Sequence, residues 1–574
     1  MERIRVTIDG SPVEVDPGST ILDAARKAGV HIPTLCYHPE LRQEGSCRLC
    51  VVEVEGMRNL AASCVYPATE GMVVKTNSQP VRKTRKAIVE LLLANHPSDC
   101  LVCTRHGDCE LQDLSHRLNV RKVRFKGEQR EMAIDESSTS IVRDPNKCIL
   151  CGRCLRICEH TQKVSAIGLA HRGSKAVVTT PFNQGLAEGP CVACGQCIKV
   201  CPVAALHERD AAEATWQALN NPALHTVVQV APAVRAALGE EFDMRAGSLV
   251  TEKMVAALRK LGFDVVFDTS FAADLTIVEE GYELLRRLEA GKNLPLITSC
   301  SPGWVNYAEK FFPEFLDNVS TCKSPQQMFG ALVKTYYAER AGIEPKNIFH
   351  VAVMPCTAKK DEAARAEMGR DGLRDVDAVL TTRELAAMIK EAGIDFVNLP
   401  DSEFDLPLGM ASGAGVIFGV TGGVTEAALR SVYEIKTGKS LDEVEFQNVR
   451  GFAGLKEAQV RINGLVLKVA VVNGLGQAAD LLQRIKVGDA QYHFIEIMGC
   501  PTGCIGGGGQ PFSKDPDIRQ KRASALYRQD HLKRVRKSHE NPAVKELYRT
   551  FLGEPHSKKA HDLLHTHYEA KSRY

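Results

Sequence analysis

The sequence predicts a multidomain chain, α+β over roughly its first two hundred residues and α/β beyond them. Three observations carry that reading. The chain has 574 residues, well past the size at which a single hydrophobic core stops growing. Nineteen of its 20 cysteines fall into five groups with metal-ligand spacing, and four of those groups precede residue 202. From about residue 222 onward, apolar strand-like runs such as HTVVQVAPAV, NIFHVAVMPC, GLVLKVAVVNG and YHFIEIMGC alternate with helical segments, the texture of an α/β unit.

Composition narrows the classes. Hydrophobic residues make up 44% and charged residues 25%, which suits a packed chain rather than a disordered one. A formal net charge of +2 gives no basis for a nucleic-acid or membrane-surface partner. The N-terminus MERIRVTIDG lacks an apolar signal core. No run approaches ~20 uninterrupted apolar residues. A cytoplasmic protein without a membrane span is therefore expected. In a reducing compartment disulfides have little use, whereas thiolates spaced Cys-x2-Cys select zinc or iron–sulfur clusters. Zinc explains isolated groups of four; five groups in series read as a wire for electrons.

Residues 1–78 form the first unit. Ile4, Val6 and Ile8 alternate with polar residues as a strand, Val13–Val15 follows as a second, and DPGSTILDAARKAGV reads as a helix capped by Ser19 or Thr20. Cys36, Cys47 and Cys50 lie in one loop, and Cys64 returns beyond a strand at Val51–Val54. This order suits a β-grasp ferredoxin with one 2Fe-2S cluster. Its wider first spacing departs from the plant-type pattern and resembles the ferredoxin unit of complex-I-type and hydrogenase subunits.

Residues 79–118 hold the second group: Cys100, Cys103 and Cys109, with His96 or His106 as fourth ligand. An amphipathic helix, VRKTRKAIVELLLANH, delivers His96 from its end. The resembled families use His-x3-Cys-x2-Cys-x5-Cys for a 4Fe-4S cluster, which selects His96. Residues 138–210 carry an internal repeat, CILCGRCLRIC and CVACGQCIKVCP. Two runs of Cys-x2-Cys-x2-Cys-x3-Cys are the two-cluster ferredoxin pattern, in which the fourth cysteine of each run serves the other cluster. Cys148, Cys151, Cys154 and Cys201 thus hold one 4Fe-4S cluster, and Cys191, Cys194, Cys197 and Cys158 the other. The 32 residues between the runs exceed the small-ferredoxin connection.

In the α/β unit, residues 222–514, three cysteine-bearing segments each follow an apolar strand: LPLITSCSPGW, HVAVMPCTAKKDE and FIEIMGCPTGCIGGGGQP. Loops at strand ends are where open α/β sheets build sites. Gly506 to Gly509 lack the lysine and helix of a phosphate loop, and their expected use is close backbone approach to a bulky inorganic group.

These segments resemble the three signature loops of the iron-iron (FeFe) hydrogenases. So do SPQQMFG, DGLRDVDAVLTTREL and SGAGVIFGVTGGVTEAALR, and residues 515–574 resemble the family's small subunit. The resemblance covers nearly the whole chain and implies an enzyme of reversible H2 oxidation and proton reduction, typical of anaerobic metabolism. It implies one 2Fe-2S cluster, three accessory 4Fe-4S clusters and an H-cluster: a 4Fe-4S cube joined to a two-iron subsite with CO, cyanide and azadithiolate. Cys356, Cys500 and Cys504 match cube ligands, Cys504 bridging to the subsite. Met354, Met498 and Phe418 match its apolar shell, and Ala231, Pro232, Pro325 and Gln326 its other neighbours. Lys359 matches the lysine whose ammonium pairs with a cyanide. Glu280, Glu283, Arg287 and Ser320 match a proton path, the two glutamates sharing one helix face.

One departure stands out. The family commonly has Thr-Ser-Cys-Cys-Pro, with the first cysteine as proton relay and the second as cube ligand. This chain has Thr298-Ser299-Cys300-Ser301-Pro302. Cys300, the sole thiol on that loop, is the expected fourth ligand; Ser301 through oxygen and Cys322 through sulfur are the alternatives. Ferredoxin, or flavin-containing NAD(P)H-oxidising subunits in a hetero-oligomer, electron-bifurcating assemblies included, are the implied electron partners. No nucleotide fingerprint is present in the chain itself. The rival reading is a non-catalytic sensory or iron–sulfur assembly relative of the same fold.

Overall fold

The computed structural model describes residues 3–441, 443–462 and 464–573. The predicted opening hairpin forms: Ile4–Ile8 pairs antiparallel with Ser11–Val15, Val6 opposite Val13. Asp9 and Gly10 at its turn both take positive φ, which fits an Asp-Gly turn. Thr20 is the cap of helix Ile21–Lys27. Its hydroxyl accepts from Asp23 N–H while the Asp23 carboxylate accepts from Thr20 N–H, satisfying two otherwise orphaned donors. Val73–Lys75 returns parallel to Ile4–Ile8 and antiparallel to Val51–Val54, giving a five-stranded sheet over a core of Val6, Ile8, Ile21, Leu22, Val52 and Val74.

Helix Gln79–Ala94 leaves this unit, pinned by Arg85, which donates to Val51 O at 2.8 Å. The paired cysteine runs repeat at the backbone as well as in sequence. Leu150 and Gly152 in one copy, and Ala193 and Gly195 in the other, are left-handed, folding each run tightly around a centre.

The α/β unit contains two four-stranded sheets. One is all parallel, ordered Val265–Asp268, His225–Val230, Ile348–Met354, Ala378–Thr381. The other is ordered Leu296–Ile297, Phe494–Met498, Leu465–Asn473, Leu455–Ile462, with only the last pair antiparallel. Parallel strands covered on both faces read as continuous apolar runs, which is how they appear in the sequence. Helix Thr269–Ala290 follows Val265–Asp268 and is buried along most of its length. The C-terminal segment, helices Ile518–Leu532, Pro542–Leu547 and Lys558–Leu564, packs on this unit. Arg430 clamps it, pairing with Glu426 at 2.6 Å and Asp530 at 2.9 Å, all three side chains fully buried. Removing one member of such a network leaves a buried charge uncompensated, at a cost of about 3–5 kcal/mol. Among the described residues, no helix is long and apolar enough to cross a membrane.

Candidate functional site

The structure gathers the cysteine groups into centres. Cys36, Cys47, Cys50 and Cys64 hydrogen-bond among themselves, with Cys36 N–H donating to Cys47 Sγ at 3.4 Å. Cys36, Cys50 and Cys64 are buried. Four thiols in mutual contact must share protons or surrender them to a metal.

At the second group, His96 is buried and its Nδ1 faces Pro97 O at 2.9 Å. Its Nε2 is buried without a partner, an orphan that ligation would satisfy. His106 is exposed. Lys147, which the sequence reading passed over, lies 3.6 Å from Cys103 Sγ and pairs with Asp99 at 3.2 Å.

The two ferredoxin runs enclose two cavities. One is lined by Cys148, Cys151, Cys154 and Cys201; the other by Cys158, Cys191, Cys194 and Cys197. The fourth cysteine of each run crosses to the other centre. Burial pushes the thiols of Cys148 and Cys191 up to about 11, and those of Cys151 and Cys158 to about 12. Protonated thiols crowded in apolar cavities are stable places for a cationic cluster core to displace protons.

The second of these centres abuts the cavity lined by Cys356, Cys500 and Cys504. Gln196 donates to Gly506 O at 3.1 Å, Gln162 to Gly499 O at 2.9 Å, and Thr357 to Ala193 O at 2.8 Å. The glycine run also serves protein–protein packing within the chain. A Cβ at Gly507 would stand 2.0 Å from Pro355 O, and one at Gly508 2.8 Å from Gly195 Cα. The glycines admit other backbone, and Gly507 also lines the cavity of Cys356, Cys500 and Cys504. Gly508 lets the ferredoxin loop dock, bringing Cys194 into electrostatic reach of Cys500. Contacts across some three hundred residues leave no local pattern, so Gln162 and Gln196 had no sequence signal beyond lying near cysteines.

Four loops at the C-terminal ends of strands wall one cavity. Ala231 and Pro232 follow His225–Val230, Cys300 and Ser301 follow Leu296–Ile297, Cys356 follows Ile348–Met354, and Cys500 and Cys504 follow Phe494–Met498. Pro325, Gln326, Met354, Lys359, Phe418 and Met498 complete the wall. All shell residues expected from the resemblance are thus together. Lys359 Nζ donates to Ser324 Oγ at 2.7 Å and Glu362 at 2.9 Å. Gln326 donates to Lys359 O at 3.1 Å, and its Oε1 is buried without a partner. Burial pushes the thiols of Cys356, Cys500 and Cys504 upward, Cys504 to about 12. Three thiols lining a mainly apolar cavity, with one cation and an orphaned amide oxygen, fit a thiolate-bound metal group with polar ligands. A water-filled substrate cleft would be lined differently.

Cys300 and Ser301 face different ways. The ionisable neighbours of Cys300 are Glu280, Cys504, Glu496 and Lys359. Those acting most strongly on Cys500 are Cys356, Cys194 and Cys504. Ser301 Oγ accepts from Gly499 N–H at 3.0 Å, on the loop of Cys500. Cys300 thus lies toward Glu280 and Ser301 toward the loop of Cys500, which favours the relay role for Cys300 over the ligand role expected for it. Cys322 is fully buried off the cavity, its thiol donating to Glu283 at 3.9 Å, so it does not supply a cube sulfur here.

The proton-path residues are connected. Arg287 donates to Glu283 Oε1 at 2.6 Å, and Ser320 Oγ to Glu283 Oε2 at 2.8 Å. Glu280, one helical turn away, is nearly fully buried and its Oε2 has no partner. Burial, then the charge of Glu283, push its carboxyl up to about 8. The glutamates form an interior line ending at Cys300, not a surface ion-pair face.

Comparison with known proteins fits this geometry. Residues 224–508 match the family model described as iron only hydrogenase large subunit, C-terminal domain, and residues 516–571 the iron hydrogenase small subunit. Residues 1–79 match a 2Fe-2S iron-sulfur cluster binding domain, 85–124 the NADH-ubiquinone oxidoreductase-G iron-sulfur binding region, and 147–205 a 4Fe-4S dicluster domain. The chain is 51% identical to the NADP-reducing hydrogenase subunit HndD of Solidesulfovibrio fructosivorans, over 100% of both chains. It is 44% identical to Iron hydrogenase 1 of Clostridium pasteurianum, over 98% of this chain and 99% of the relative. A solved structure of apo [FeFe]-hydrogenase HydA1 from Chlamydomonas reinhardtii superposes with a TM-score of 0.57 at 47% identity, covering 62% of this chain and 99% of that one.

Proposed function

The chain belongs to the iron-only (FeFe) hydrogenase family, and from that premise we propose that it interconverts H2 with protons and electrons at the cavity between its two sheets. One observation carries the proposal. A buried carboxylate line reaches that cavity from one side, and a ferredoxin-like thiol centre reaches it from the other. Protons and electrons, the two products of H2 oxidation, thus have separate exits.

The residues suit an H-cluster, with Cys356, Cys500 and Cys504 holding the cube and the apolar wall, Lys359 and Gln326 facing the two-iron subsite. When bound, that group supplies the metal at which the H–H bond is made or broken. The chain's residues do the rest. Met354, Met498, Phe418 and the prolines exclude water. Lys359, held by Ser324 and Glu362, presents positive charge to the cavity. Cys300, against Glu280, holds a proton at Sγ, and Glu280, Ser320 and Glu283 pass it toward Arg287. Ser301 stands at the fourth cube position, and Cys300 is the relay.

Cys158, Cys191, Cys194 and Cys197, then Cys148, Cys151, Cys154 and Cys201, then the His96 and Cys36–Cys64 groups would hold the clusters that supply an electron path from the cavity. One 2Fe-2S and three 4Fe-4S accessory clusters are proposed. Flavin-bearing subunits that handle NAD(P)H, or a ferredoxin, are the proposed partners; the 51%-identical relative is named a subunit of an NADP-reducing hydrogenase. The test is infrared spectroscopy of protein made with its maturation system. Bands of metal-bound CO and cyanide, with H2 turnover, are expected; iron-loaded protein that received the maturation system yet shows neither would defeat the reading.

A further inference from the structure

The C-terminal segment carries a cluster of titratable groups that the proton line above does not use. His565 is buried between two carboxylates on helix Thr269–Ala290. Its Nε2 meets Glu279 Oε2 at 3.1 Å, and its Nδ1 meets Thr321 Oγ1 at 2.8 Å. Glu279 also accepts from His556 N–H at 3.0 Å and from the Tyr548 hydroxyl. The His561 ring, exposed, stacks on His565 with centroids 4.9 Å apart and planes 5° apart; the His556 ring lies at 4.8 Å. On the inner side, ligand-type atoms of His565, Cys322 and Glu283 all lie within 4.8 Å of one another, all three residues buried. Cys322 Sγ donates to the same Glu283 oxygen that Ser320 uses. The segment is held there by backbone: Lys323 N–H donates to Leu564 O at 2.7 Å, and Thr566 N–H to Thr321 O at 2.8 Å.

We propose that protons reach Glu283 by a second inlet through the C-terminal segment, in which His565 takes a proton on its Glu279 side and Cys322 hands one to Glu283. This rests on the proposed role of Glu283 in the main line. The Arg287 inlet is guarded by a guanidinium paired with Glu283 at 2.6 Å. The second inlet approaches the same carboxylate from the opposite side, through groups that change charge reversibly. An imidazole accepts at one nitrogen and releases from the other. A thiol can donate to the carboxylate while being reprotonated from the ring, so no electron moves and each group returns to its starting form. The groups facing His565 are Glu279, Thr321, His556, His561, Cys322 and Glu283; Tyr548 acts only through Glu279. A pure packing role would need neither two ring contacts nor the stacked histidine at the surface.

The experiment uses the full-length, cluster-loaded protein. His565→Phe is expected to slow H2 evolution roughly threefold or more, a modest general-acid effect because one of two inlets survives, with unchanged iron content and CO and cyanide bands. In His565→Ala, added imidazole restores the rate. Parallel inlets make losses more than multiplicative, so Arg287→Ala with His565→Phe must lose more than the product of the single losses. A readout free of turnover is the S–H stretching band of Cys322 in protein lacking the two-iron group. It should be absent in Cys322→Ala and shifted in His565→Phe and in the isosteric His565→Gln. An unshifted band with full turnover, or a loss that imidazole does not restore, overturns the second inlet; so does loss of iron in both His565→Phe and His565→Gln. Unchanged turnover in Glu283→Gln would instead remove the main line. Slow Glu283→Gln beside full-speed His565→Phe removes only the branch.

Discussion

The first two hundred residues and the α/β unit hold their thiols by opposite means. In the N-terminal part, each centre is built almost wholly from one short run. Cys148, Cys151 and Cys154 wrap around it because Leu150 and Gly152 turn left-handed between them. In the α/β unit, the cavity is walled by separate segments, and of its thiols only Cys500 and Cys504 share a run. Cys300, Cys356 and Cys500 follow three strands in two sheets. A run-built centre is a local fold that tolerates repetition, which suits relay stations. A strand-end centre needs the whole unit in register, which suits a cavity whose walls do different chemistry. The former loses one station when damaged; the latter loses everything.

The largest effect should therefore come from the strand-end centre. Cys500→Ala is expected to abolish turnover and the CO and cyanide bands together, because three loops converge on it. Cys100→Ala, on the exposed His96 centre, should remove one cluster by iron analysis and electron paramagnetic resonance while the infrared bands persist. Equal damage from both would erase the distinction.

Next comes the proton side. Cys300→Ala should keep the infrared bands and lower turnover about 10²–10⁴-fold, the usual scale for removing a positioned acid–base group. Glu283→Gln should fall in the same range. If Cys300→Ala instead loses iron, Cys300 is the ligand first expected for it, and Ser301 is left with only its Gly499 hydrogen bond.

Those two substitutions also show what a sequence can reveal. Spacing alone assigned the crossed cysteine sets, because ligand geometry is encoded within a dozen residues. The missing fourth thiol at the second group pointed to a histidine, and the orphaned Nε2 of His96 is the physical counterpart of that count. The cysteines at strand ends pointed to a site, but its apolar shell was legible only through resemblance, since Met354 or Phe418 is by itself an ordinary core residue. What stayed hidden was contact between distant segments: Gly508 against Gly195, Gln162 on the loop of Cys500, His565 beside Glu283. The direction in which Cys300 and Ser301 face was hidden too, because one residue of register reverses it.

A smaller effect concerns pH and stability. Burial, with the neighbouring Glu283, raises the Glu280 carboxyl to about 8. The folded chain then binds this proton more tightly than the unfolded chain does. That stability is fully present below the ordinary carboxyl pKa and is lost as pH rises through about 8. Each unit of such a shift corresponds to about 1.4 kcal/mol. Glu280→Gln cannot ionise, so its melting temperature should fall less than the parent's on going from pH 6 to roughly pH 9. Parallel curves would mean that Glu280 is hydrated and outside the buried line.

The smallest expected effect lies farthest from the cavity. The structure leaves His96 Nε2 bare and exposes His106, which supports His96 as the proposed fourth ligand beside Cys100, Cys103 and Cys109. His96→Cys would replace a neutral imidazole by a thiolate and add one negative charge at the cluster. The oxidised form is then favoured, and the potential should drop on the order of 100 mV. Lys147, 3.6 Å from Cys103 Sγ, opposes that drop, and Lys147→Met should lower the potential further in the same direction. Turnover with an artificial donor that feeds the ferredoxin pair directly should hardly change, because that pair, not the His96 centre, abuts the cavity. Potentiometric titration followed by electron paramagnetic resonance separates the outcomes. A cluster that survives His96→Ala but disappears in His106→Ala would transfer the ligand role to the exposed histidine. The bare Nε2 of His96 would then be an unpaired buried atom with no metal to satisfy it.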